Sequence, residues 1–254
     1  MQVDRRFSGI DRLFGSAGAE CIKRAHVAVV GVGGVGSWAV ESLARSGVAQ
    51  LTLIDFDQVA ESNINRQLHA IESSIGQAKV VAMRDRVHSF YPECQVHVFE
   101  HFVETNNWPM ILPPDVSAVI DACDQISAKV MLAAWARQNS ACTFVSVGAA
   151  GGKRHAHFVD IADLADVTHD PLLAKVRYQL RKEHAAPREA KKMSITCVYS
   201  RENVMQPDAS CASQNDGSLN CHGFGSLVSV TATFGHCAAG TILNQLVLRQ
   251  TKIR

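Results

Sequence analysis

A glycine-rich turn between an apolar run and an amphipathic segment constrains this sequence most. The run His26–Val30 is apolar and largely β-branched, as in a strand that is buried on both faces. From Val35 to Arg45, apolar residues recur at helical spacing. Between them stand the glycines of the turn, Gly31, Gly33, Gly34 and Gly36. The stretch is predicted to form a strand, a tight turn and a helix.

The spacing of these glycines also predicts a ligand. Residues 31, 33 and 36 match the G-x-G-x-x-G pattern, whose missing side chains let backbone amides and a helix N-terminus approach a phosphate. The next predicted strand, Gln50–Ile54, ends at Asp55, in the place of the acid that holds a ribose. We therefore predict a nucleotide site, and the pattern alone leaves open which nucleotide it binds.

Length and composition favour a globular protein of a reducing compartment. The chain has 254 residues, 47% of them hydrophobic and 19% charged, and can bury the core of one large or two small domains. Its formal net charge of +1 neither favours nor excludes nucleic acid, because a neutral protein can carry a basic patch. Its eight cysteines include no C-x-x-C pair and its polar start is no signal peptide, which predicts free thiols in the cytoplasm.

Strand and helix patterns alternate along the first 152 residues. After an N-terminal helix over Asp11–Arg24 and the two strands above, the predicted elements are strands at 95–99, 117–120 and 142–147 and helices at 77–90 and 126–138. Such alternation with right-handed crossovers predicts a doubly wound, Rossmann-like α/β fold with a mostly parallel sheet. We expect one domain over 1–254, with a nucleotide-binding core at 1–152 and a C-terminal part at 153–254.

The C-terminal part is predicted to hold two strands, a basic segment, a loop and a helix. The strands are His155–Asp160 and Ser194–Tyr199. Pro171–Lys192 has seven Lys or Arg against two Glu, and is either a solvated helix face or a nucleic-acid contact. Ser200–Asn220 is polar and predicted to be a mobile loop that closes near the substrate. Gly223–Leu243 could span a membrane by length, but its Thr, Ser and His residues favour a helix packed on the sheet.

Polar residues after the turn are placed where a bound nucleotide could meet them. Asn63 and Arg66 are three residues apart, so a helix capped by Ser62 would carry both on one face. Lys79 lies in the first turn of the following predicted helix. A hydride-transfer enzyme needs no cation at a phosphorus centre. An adenylating enzyme needs one, because negative charge builds on the phosphoryl oxygens when a carboxylate attacks the α-phosphate of ATP.

Two carboxylates follow a later strand, at the end where open α/β sheets bind ligands. They are Asp121 and Asp124, separated by Ala122 and Cys123. Asp124 is a candidate ligand for Mg²⁺, which prefers oxygen donors, and Asp55 a candidate for the ribose hydroxyls. Cys123 is interpreted as a core residue between the two acids, and His155, His157 and His236, which lack metal-ligand spacing, as structural.

These motifs, in this order, resemble the adenylation core of the ubiquitin-activating-enzyme superfamily. The matching residues between Arg5 and Gly152 are GxGGxG, D-F-D, S-N-I-N-R-Q, the lysine of G-Q-A-K, and D-A-C-D. Within the superfamily, V-G-V-G-G-V-G-S-W, N-R-Q-L-H-A, H-D-P-L-L-A-K, C-H-G-F-G-S and V-T-A-T-F-G resemble the bacterial tRNA threonylcarbamoyladenosine dehydratases. This second resemblance runs nearly end to end.

The resemblance implies ATP-dependent dehydration of threonylcarbamoyladenosine beside the tRNA anticodon, through an acyl-adenylate that cyclises with loss of AMP. It implies ATP and Mg²⁺, with a monovalent cation, K⁺ or Na⁺, near the site. It also implies a homodimer, and a sulfur-relay protein as a further partner. The implied site residues are Asp55 on the ribose, Asn63, Arg66 and Lys79 on the phosphates, Asp57 and Asp121 as further cofactor-binding residues, Asp124 on the metal, and Arg12 or Arg6 acting from the second subunit. Cys221 is either a catalytic thiol or an inert one.

Three alternatives remain. The first is an activator of a ubiquitin-like sulfur-carrier protein, although such relatives typically hold zinc on two C-x-x-C pairs, which this chain lacks. The second is an NAD-dependent oxidoreductase. The third is a non-catalytic scaffold, disfavoured because a scaffold has no physical need for Arg66, Lys79 and Asp124 together.

Overall fold

A single β-sheet lies between two layers of helices in the computed structural model, which describes residues 5–188, 191–208 and 224–253. The α-helices are α1 Ser8–Arg24, α2 Gly36–Arg45, α3 Lys79–His88, α4 Ile126–Gln138, α5 Pro171–Glu183 and α6 Val228–Ile253. The strands are β1 His26–Val30, β2 Gln50–Ile54, β3 Gln95–Phe99, β4 Ala118–Asp121, β5 Thr143–Val147, β6 Val159–Asp163 and β7 Thr196–Ser200. The predicted α/β class is confirmed.

The strand order is β3-β2-β1-β4-β5-β7-β6, and β6 alone among the described strands runs antiparallel to its neighbour. The chain moves outward from β1 in one direction to β2 and β3, then returns to the other side of β1 at β4. Open α/β sheets bind ligands at such a reversal, outside the carboxyl ends of the strands. The glycine turn follows β1 and the segment Asp121–Asp124 lies at the carboxyl end of β4, so the fold brings both to this point.

Alternate residues of the central strands point to opposite helix layers. In β1, Val27 and Val29 pack into the core under α2 and α6, and Ala28 and Val30 pack into the core under α4 and α5. All four side chains are buried. A strand covered on both faces has no polar face, which explains why His26–Val30 reads as a continuous apolar run.

The final helix packs on the sheet, as predicted for the run beginning at Gly223. Its buried residues recur every four positions, at Val230, Phe234, Ala238, Ile242 and Leu246. Close approach to α2 requires Gly235, where a Cβ would lie 2.5 Å from the carbonyl oxygen of Val35. No helix of the described residues is long and apolar enough to cross a membrane.

The connection between β3 and β4 forms no helix among the described residues, because its Pro109, Pro113 and Pro114 lack the N–H donors that a helix needs. One local prediction is wrong. The strand predicted at His155–Asp160 is instead a short 3₁₀ turn, Ala156–Phe158, followed by β6. The backbone amides of Arg154 and His155 both donate to the carboxylate of Glu202, which holds the turn.

The basic segment is partly tied into the fold. Arg177 donates to the carbonyl oxygens of Leu164 and Val167, and Arg181 to that of Pro187. Lys192 pairs with Asp166. On the opposite face of α5, Lys175, Tyr178 and Lys182 are exposed, Tyr178 by 66%. One face of α5 is therefore exposed to solvent, and the basic residues on its other face hydrogen-bond to the backbone of neighbouring segments.

Candidate active site

The glycine turn is shaped by contacts that leave no room for side chains. Gly31 has φ +84°, and a Cβ there would lie 2.8 Å from the backbone of Ala122 and Cys123. A Cβ at Gly36 would lie 1.8 Å from the carbonyl oxygen of Gly31. The turn is thus pressed against the peptide that follows β4, and the two segments cannot shift independently.

Asp55 holds this turn from the neighbouring strand. Its Oδ2 accepts from the amide of Val32 at 2.6 Å, and its Oδ1 from the amide of Asp57 at 2.8 Å. Burial raises the pKa of Asp55, and the nearby ammonium of Lys79 opposes that shift. Since each carboxylate oxygen can accept a second hydrogen bond, the predicted ribose contact is compatible with this arrangement.

The segment that contains Arg66 lies across the glycine turn. A Cβ at Gly34 would lie 3.4 Å from Cγ of Arg66, and one at Gly33 would lie 3.8 Å from Nε2 of Gln67. The guanidinium of Arg66 donates to the carbonyl oxygen of Ser62 at 2.7 Å and to Oδ1 of Asn65 at 2.8 Å. The structure therefore brings Arg66 and the glycines together, as predicted.

The local backbone here differs from the prediction. Residues 61–63 form a 3₁₀ turn, in which Oδ1 of Asn63 accepts from the amide of Ala60 at 3.1 Å. Ser62 makes no helix cap, and Asn63 and Arg66 do not share a helix face. The cap comes from the side chain of Asn63, the third residue of the turn. Helical spacing in the sequence does not predict such a cap.

Lys79 begins α3, as predicted, and is almost fully buried. Its Nζ lies 2.7 Å from Oδ2 of Asp57, and its amide donates to the carbonyl oxygen of Asp57. Two residues predicted to contact the nucleotide thus bind each other. A phosphate entering the site would compete with Asp57 for the ammonium group.

Several buried polar atoms beside the turn have no hydrogen-bond partner among the described residues. They are Nδ2 of Asn63, Oε1 of Gln67 and both ring nitrogens of His69. Burial, with a contribution from Lys79, lowers the pKa of His69 to about 4. Unpaired buried polar groups cost stability, and in a native fold they call for a binding role or water. Gln67 and His69 were not predicted as site residues from the sequence, although both lie in the N-R-Q-L-H-A motif.

The two aspartates at the carboxyl end of β4 have different environments. Asp121 is fully buried, and its Oδ2 lies 2.9 Å from Nζ of Lys129 and 2.6 Å from Oγ of Ser146. Its carboxylate therefore faces the interior, and the predicted direct contact with the cofactor does not match this placement. Asp124 is exposed. The thiol of Cys123 donates to Oδ1 of Asp121. Burial is the main cause that raises the pKa of Cys123, and the nearby carboxylate of Asp121 adds to it, as expected for a core residue.

The N-terminal arginines lie at the opposite, amino edge of the sheet. Phe7 packs on Gly47, which precedes β2, and Gly18 packs on Val247, near the end of α6. Arg12 lies between these two contacts on α1 and is exposed. Arg6 pairs with Glu93, before β3, at 2.9 Å. These arginines therefore lie away from the glycine turn of their own subunit, and a role in a second subunit stays a prediction.

Gly152 contacts both ends of the stretch that contains Cys221. Its carbonyl oxygen accepts from the amide of Met205, and its own amide donates to the carbonyl oxygen of Gly225, each at 2.8 Å. Its φ is +70°, and a Cβ would lie 2.8 Å from Cγ1 of Val204. Cys221 and positions 209–220 of the predicted loop lie outside the described residues. Ser200, where the loop was expected to begin, ends β7.

The entry to α6 is joined to the Arg66 segment. Nδ2 of Asn65 donates to the carbonyl oxygen of Ser226 at 3.2 Å, and the carbonyl oxygen of Arg66 accepts from Nε1 of Trp38 at 3.1 Å. The C-terminal part is therefore fastened to the nucleotide-binding core at the site itself, which supports a single domain over the described residues.

Known proteins share this arrangement over nearly the whole chain. The ThiF family matches residues 8–251. The tRNA threonylcarbamoyladenosine dehydratase of Haemophilus influenzae is 38% identical, over 98% of this chain and 95% of that protein. The crystal structure of the Escherichia coli tRNA N6-threonylcarbamoyladenosine dehydratase with ATP has a TM-score of 0.89 at 37% identity, over 98% of this chain and 96% of that one.

A relative from the rival class matches a shorter region. The molybdopterin-synthase adenylyltransferase of Salmonella typhimurium is 36% identical over 121 residues, which is 48% of each protein. The similarity to this adenylyltransferase covers about half of the chain, whereas the similarity to the Haemophilus influenzae dehydratase extends through the C-terminal part. Together, the glycine turn, the Arg66 segment and the end-to-end similarity show that the chain belongs to the ThiF family.

Proposed function

We propose that this protein is an ATP-dependent tRNA threonylcarbamoyladenosine dehydratase. The observation that carries the proposal is similarity to such enzymes over 98% of the chain, including the part that follows the nucleotide-binding core. A substrate-specific part is where a dehydratase and a sulfur-carrier activator should differ. The reaction would take place where tRNA is modified, in the cytoplasm.

The residues around the glycine turn fit ATP. Backbone without side chains at Gly31–Gly36 can approach phosphates, and the stem of Arg66 already lies over Gly34. The unpaired Nδ2 of Asn63 can donate to a phosphoryl oxygen, and Lys79 can exchange Asp57 for a phosphate. Asp55 can accept from ribose hydroxyls. A donor that is held in place without a partner needs little reorganisation when the ligand arrives.

Asp124 fits Mg²⁺ because its exposed carboxylate supplies the hard oxygen donors that this ion prefers. When bound there, Mg²⁺ would neutralise charge on the phosphoryl oxygens. The proposal leaves Asp121 out of the ligand set, since its carboxylate is occupied by Lys129 and Ser146. A monovalent cation and a sulfur-relay partner rest on family resemblance, and we assign no residue to either.

In the proposed reaction, the threonyl carboxylate of the modified adenosine attacks the α-phosphate of ATP and pyrophosphate leaves. Arg66 and Lys79 stabilise the charge on the phosphoryl oxygens during this step. A nucleophile within the same substrate then attacks the activated carbonyl carbon, and AMP leaves with the former carboxylate oxygen. The net change is loss of one water. The protein need only hold the reacting groups in contact for ring closure, because the second step is intramolecular.

The exposed stripe of α5, Lys175, Tyr178 and Lys182, is the proposed contact for the tRNA. These residues are spaced by three and four, so they share one helix face. Lysines neutralise phosphates, and an exposed tyrosine offers a surface on which an unpaired base can stack. Because α5 begins beside Ala149, at the carboxyl edge of the sheet, the stripe starts near the site. The other basic residues that are tied to backbone carbonyls are excluded from this proposal.

We also propose that the enzyme acts as a homodimer in which Arg12 of one subunit completes the site of the other. Two inactive variants, Arg12→Ala and Arg66→Ala, test this when they are unfolded together and refolded as mixed dimers. Half of the dimers would then be mixed and each would carry one intact site, so activity should return to about a quarter of wild type. Activity that stays absent after mixing would contradict a role for Arg12 in the second subunit.

The decisive experiment is mass spectrometry of nucleosides from threonylcarbamoylated tRNA incubated with the protein, ATP and Mg²⁺. The expected product is the modified adenosine less one water, dependent on ATP and lost in Arg66→Ala. Reactions without ATP, and with Arg86→Ala as a matched arginine variant, serve as controls. Absence of the product, together with ATP–pyrophosphate exchange stimulated by a small protein ending in Gly-Gly, would replace this function with sulfur-carrier activation.

A further inference from the structure

A buried lysine contacts Asp121, the last residue of β4, three positions before the proposed metal ligand Asp124. Lys129 is fully buried on α4, yet each of its three ammonium N–H groups has an acceptor. The acceptors are Oδ2 of Asp121 at 2.9 Å, the carbonyl oxygen of Asp121 at 3.3 Å and Oγ of Ser146 at 3.4 Å. Burial lowers the pKa of Lys129, but attraction by Asp121 and hydrogen bonding to it, together with contributions from nearby groups, outweigh burial and raise that pKa.

The carboxylate of Asp121 is saturated as well. Oδ2 accepts from Lys129 and Ser146, and Oδ1 accepts from the amide of Cys123 at 3.3 Å and from its thiol at 3.0 Å. The acceptors of Lys129 belong to β4 and β5, where Asp121 and Ser146 are direct neighbours in register. One ammonium group thus joins α4 to two central strands at their carboxyl ends.

Two features of the site depend on this junction. Asp121 is the register partner of Val30, the residue before the glycine turn, and the amide of Ala122 donates to the carbonyl oxygen of Val30 at 2.8 Å. The same Ala122–Cys123 peptide fills the space that a side chain at Gly31 would need. Asp124 is the next residue. Its position is therefore set by a peptide that is fixed on one side by the glycine turn and on the other by the Lys129–Asp121 pair.

We propose that Lys129 is a positioning residue that, through Asp121, holds the 122–124 peptide so that Asp124 can bind the metal of the nucleotide. This inference rests on the proposed function and deepens it, because it assigns a role to two residues that do not touch the ligand. A buried pair of this kind is a poor source of stability, since apolar side chains of similar volume often serve a core as well. The presence of the Lys129–Asp121 pair is better explained by a need to fix the direction in which the peptide leaves the end of β4.

The test uses the double variant Asp121→Asn/Lys129→Met, which removes both charges and approximately keeps both volumes. ATP binding is measured by calorimetry on the intact protein, with no tRNA, once in excess Mg²⁺ and once in a chelator. The wild type should bind more tightly with Mg²⁺. In the double variant, we expect this metal-dependent gain to fall by about tenfold, as it does when residues supporting a metal ligand are replaced. Asp124→Asn should lose the same gain.

Thermal denaturation distinguishes positioning from general stability. Glu41 is also a buried charged residue, but it binds Arg45 and Arg86 instead of the peptide that follows β4, so Glu41→Gln is the matched control. It should lower the melting temperature without reducing the gain from Mg²⁺. A double variant that keeps the wild-type gain would overturn the inference while leaving the proposed function intact. A wild type that binds no ATP in either condition would overturn both.

Discussion

The two edges of the sheet treat their polar groups differently. At the amino edge, polar groups lie beside partners: Arg6 pairs with Glu93, and His26 lies 2.8 Å from Oγ1 of Thr52 and 3.0 Å from a carboxylate oxygen of Asp115. Two buried atoms at this edge, Nδ1 of His26 and Oγ1 of Thr143, nevertheless make no hydrogen bond among the described residues. At the carboxyl edge, buried atoms of Asn63, Gln67 and His69 have no partner among the described residues.

This difference separates two uses of polarity. A paired group adds to the free energy of unfolding, whereas an unpaired buried group reduces it and is retained where a ligand supplies the missing partner. Changes at His26 and Asp115 of the amino edge should therefore alter stability and spare activity. Arg12, which lies at the same edge, is the exception because of its proposed role in the second subunit. Changes at the carboxyl edge should alter activity and spare stability.

The strongest test of this contrast reverses one charge at each edge. Asp124→Lys should lower ATP-dependent turnover by about 10³-fold, because it replaces the proposed metal ligand by a cation. Asp115→Lys, at the amino edge, is the matched reversal and should leave turnover nearly unchanged. Both are measured as product formed under saturating ATP. Near-normal turnover in Asp124→Lys would refute the metal assignment.

A pair of arginines gives the next largest effect. Arg66→Ala should lower kcat by about 10²-fold, since it removes a cation from the phosphoryl oxygens in the transition state. Arg86→Ala should keep kcat and reduce the free energy of unfolding by about 1 kcal/mol or less, because its pair with Glu41 is partly exposed. Steady-state kinetics and urea denaturation on both variants measure the change in kcat and the change in the free energy of unfolding. Equal losses of kcat in the two variants would contradict the difference between Arg66 and Arg86.

His69 makes the stability cost of the carboxyl edge measurable. Its pKa is about 4 in the folded protein, against about 6.5 in an unfolded chain, so the unfolded chain binds more protons between these pH values. Stability should fall as the pH drops through this window, by up to about 3 kcal/mol from this residue. His69→Phe should flatten that part of the profile in urea denaturation at a series of pH values. An identical slope in the variant would contradict the burial of a neutral imidazole.

The smallest expected effect concerns the stripe on α5. Neutralising Lys175 and Lys182 as Gln should weaken tRNA binding and reduce the slope of log affinity against log salt by about 1 to 2. The control neutralises Lys23 and Arg24, two exposed cations near the amino edge. Filter binding over a range of salt concentrations measures both slopes. If the two double variants lose the same slope, the stripe is only a solvated face.

The glycine turn, the central strands and most helices could be predicted because their signals are local. Spacing of glycines and the period of apolar residues depend on neighbours in sequence, which explains the agreement at β1, β2, β3 and α4. The two aspartates at the carboxyl end of β4 were placed at the right edge for the same reason.

What could not be predicted depends on packing between distant segments. Lys129 lies within a correctly predicted helix, yet nothing in its neighbours shows that its ammonium group is buried against Asp121. The unpaired state of His69 and the location of Arg12 at the far edge likewise emerge only when strands and helices are assembled. The turn at Asn63 was missed because its side chain, rather than a helical repeat, sets the backbone.

Gly152 joins two segments that are distant in sequence through one residue. Its amide donates to the carbonyl oxygen of Gly225 and its carbonyl oxygen accepts from the amide of Met205, so both segments are attached at the same point. Its φ is +70° and a Cβ would lie 2.8 Å from Cγ1 of Val204. A single methyl group added at Gly152 should therefore loosen both attachments together.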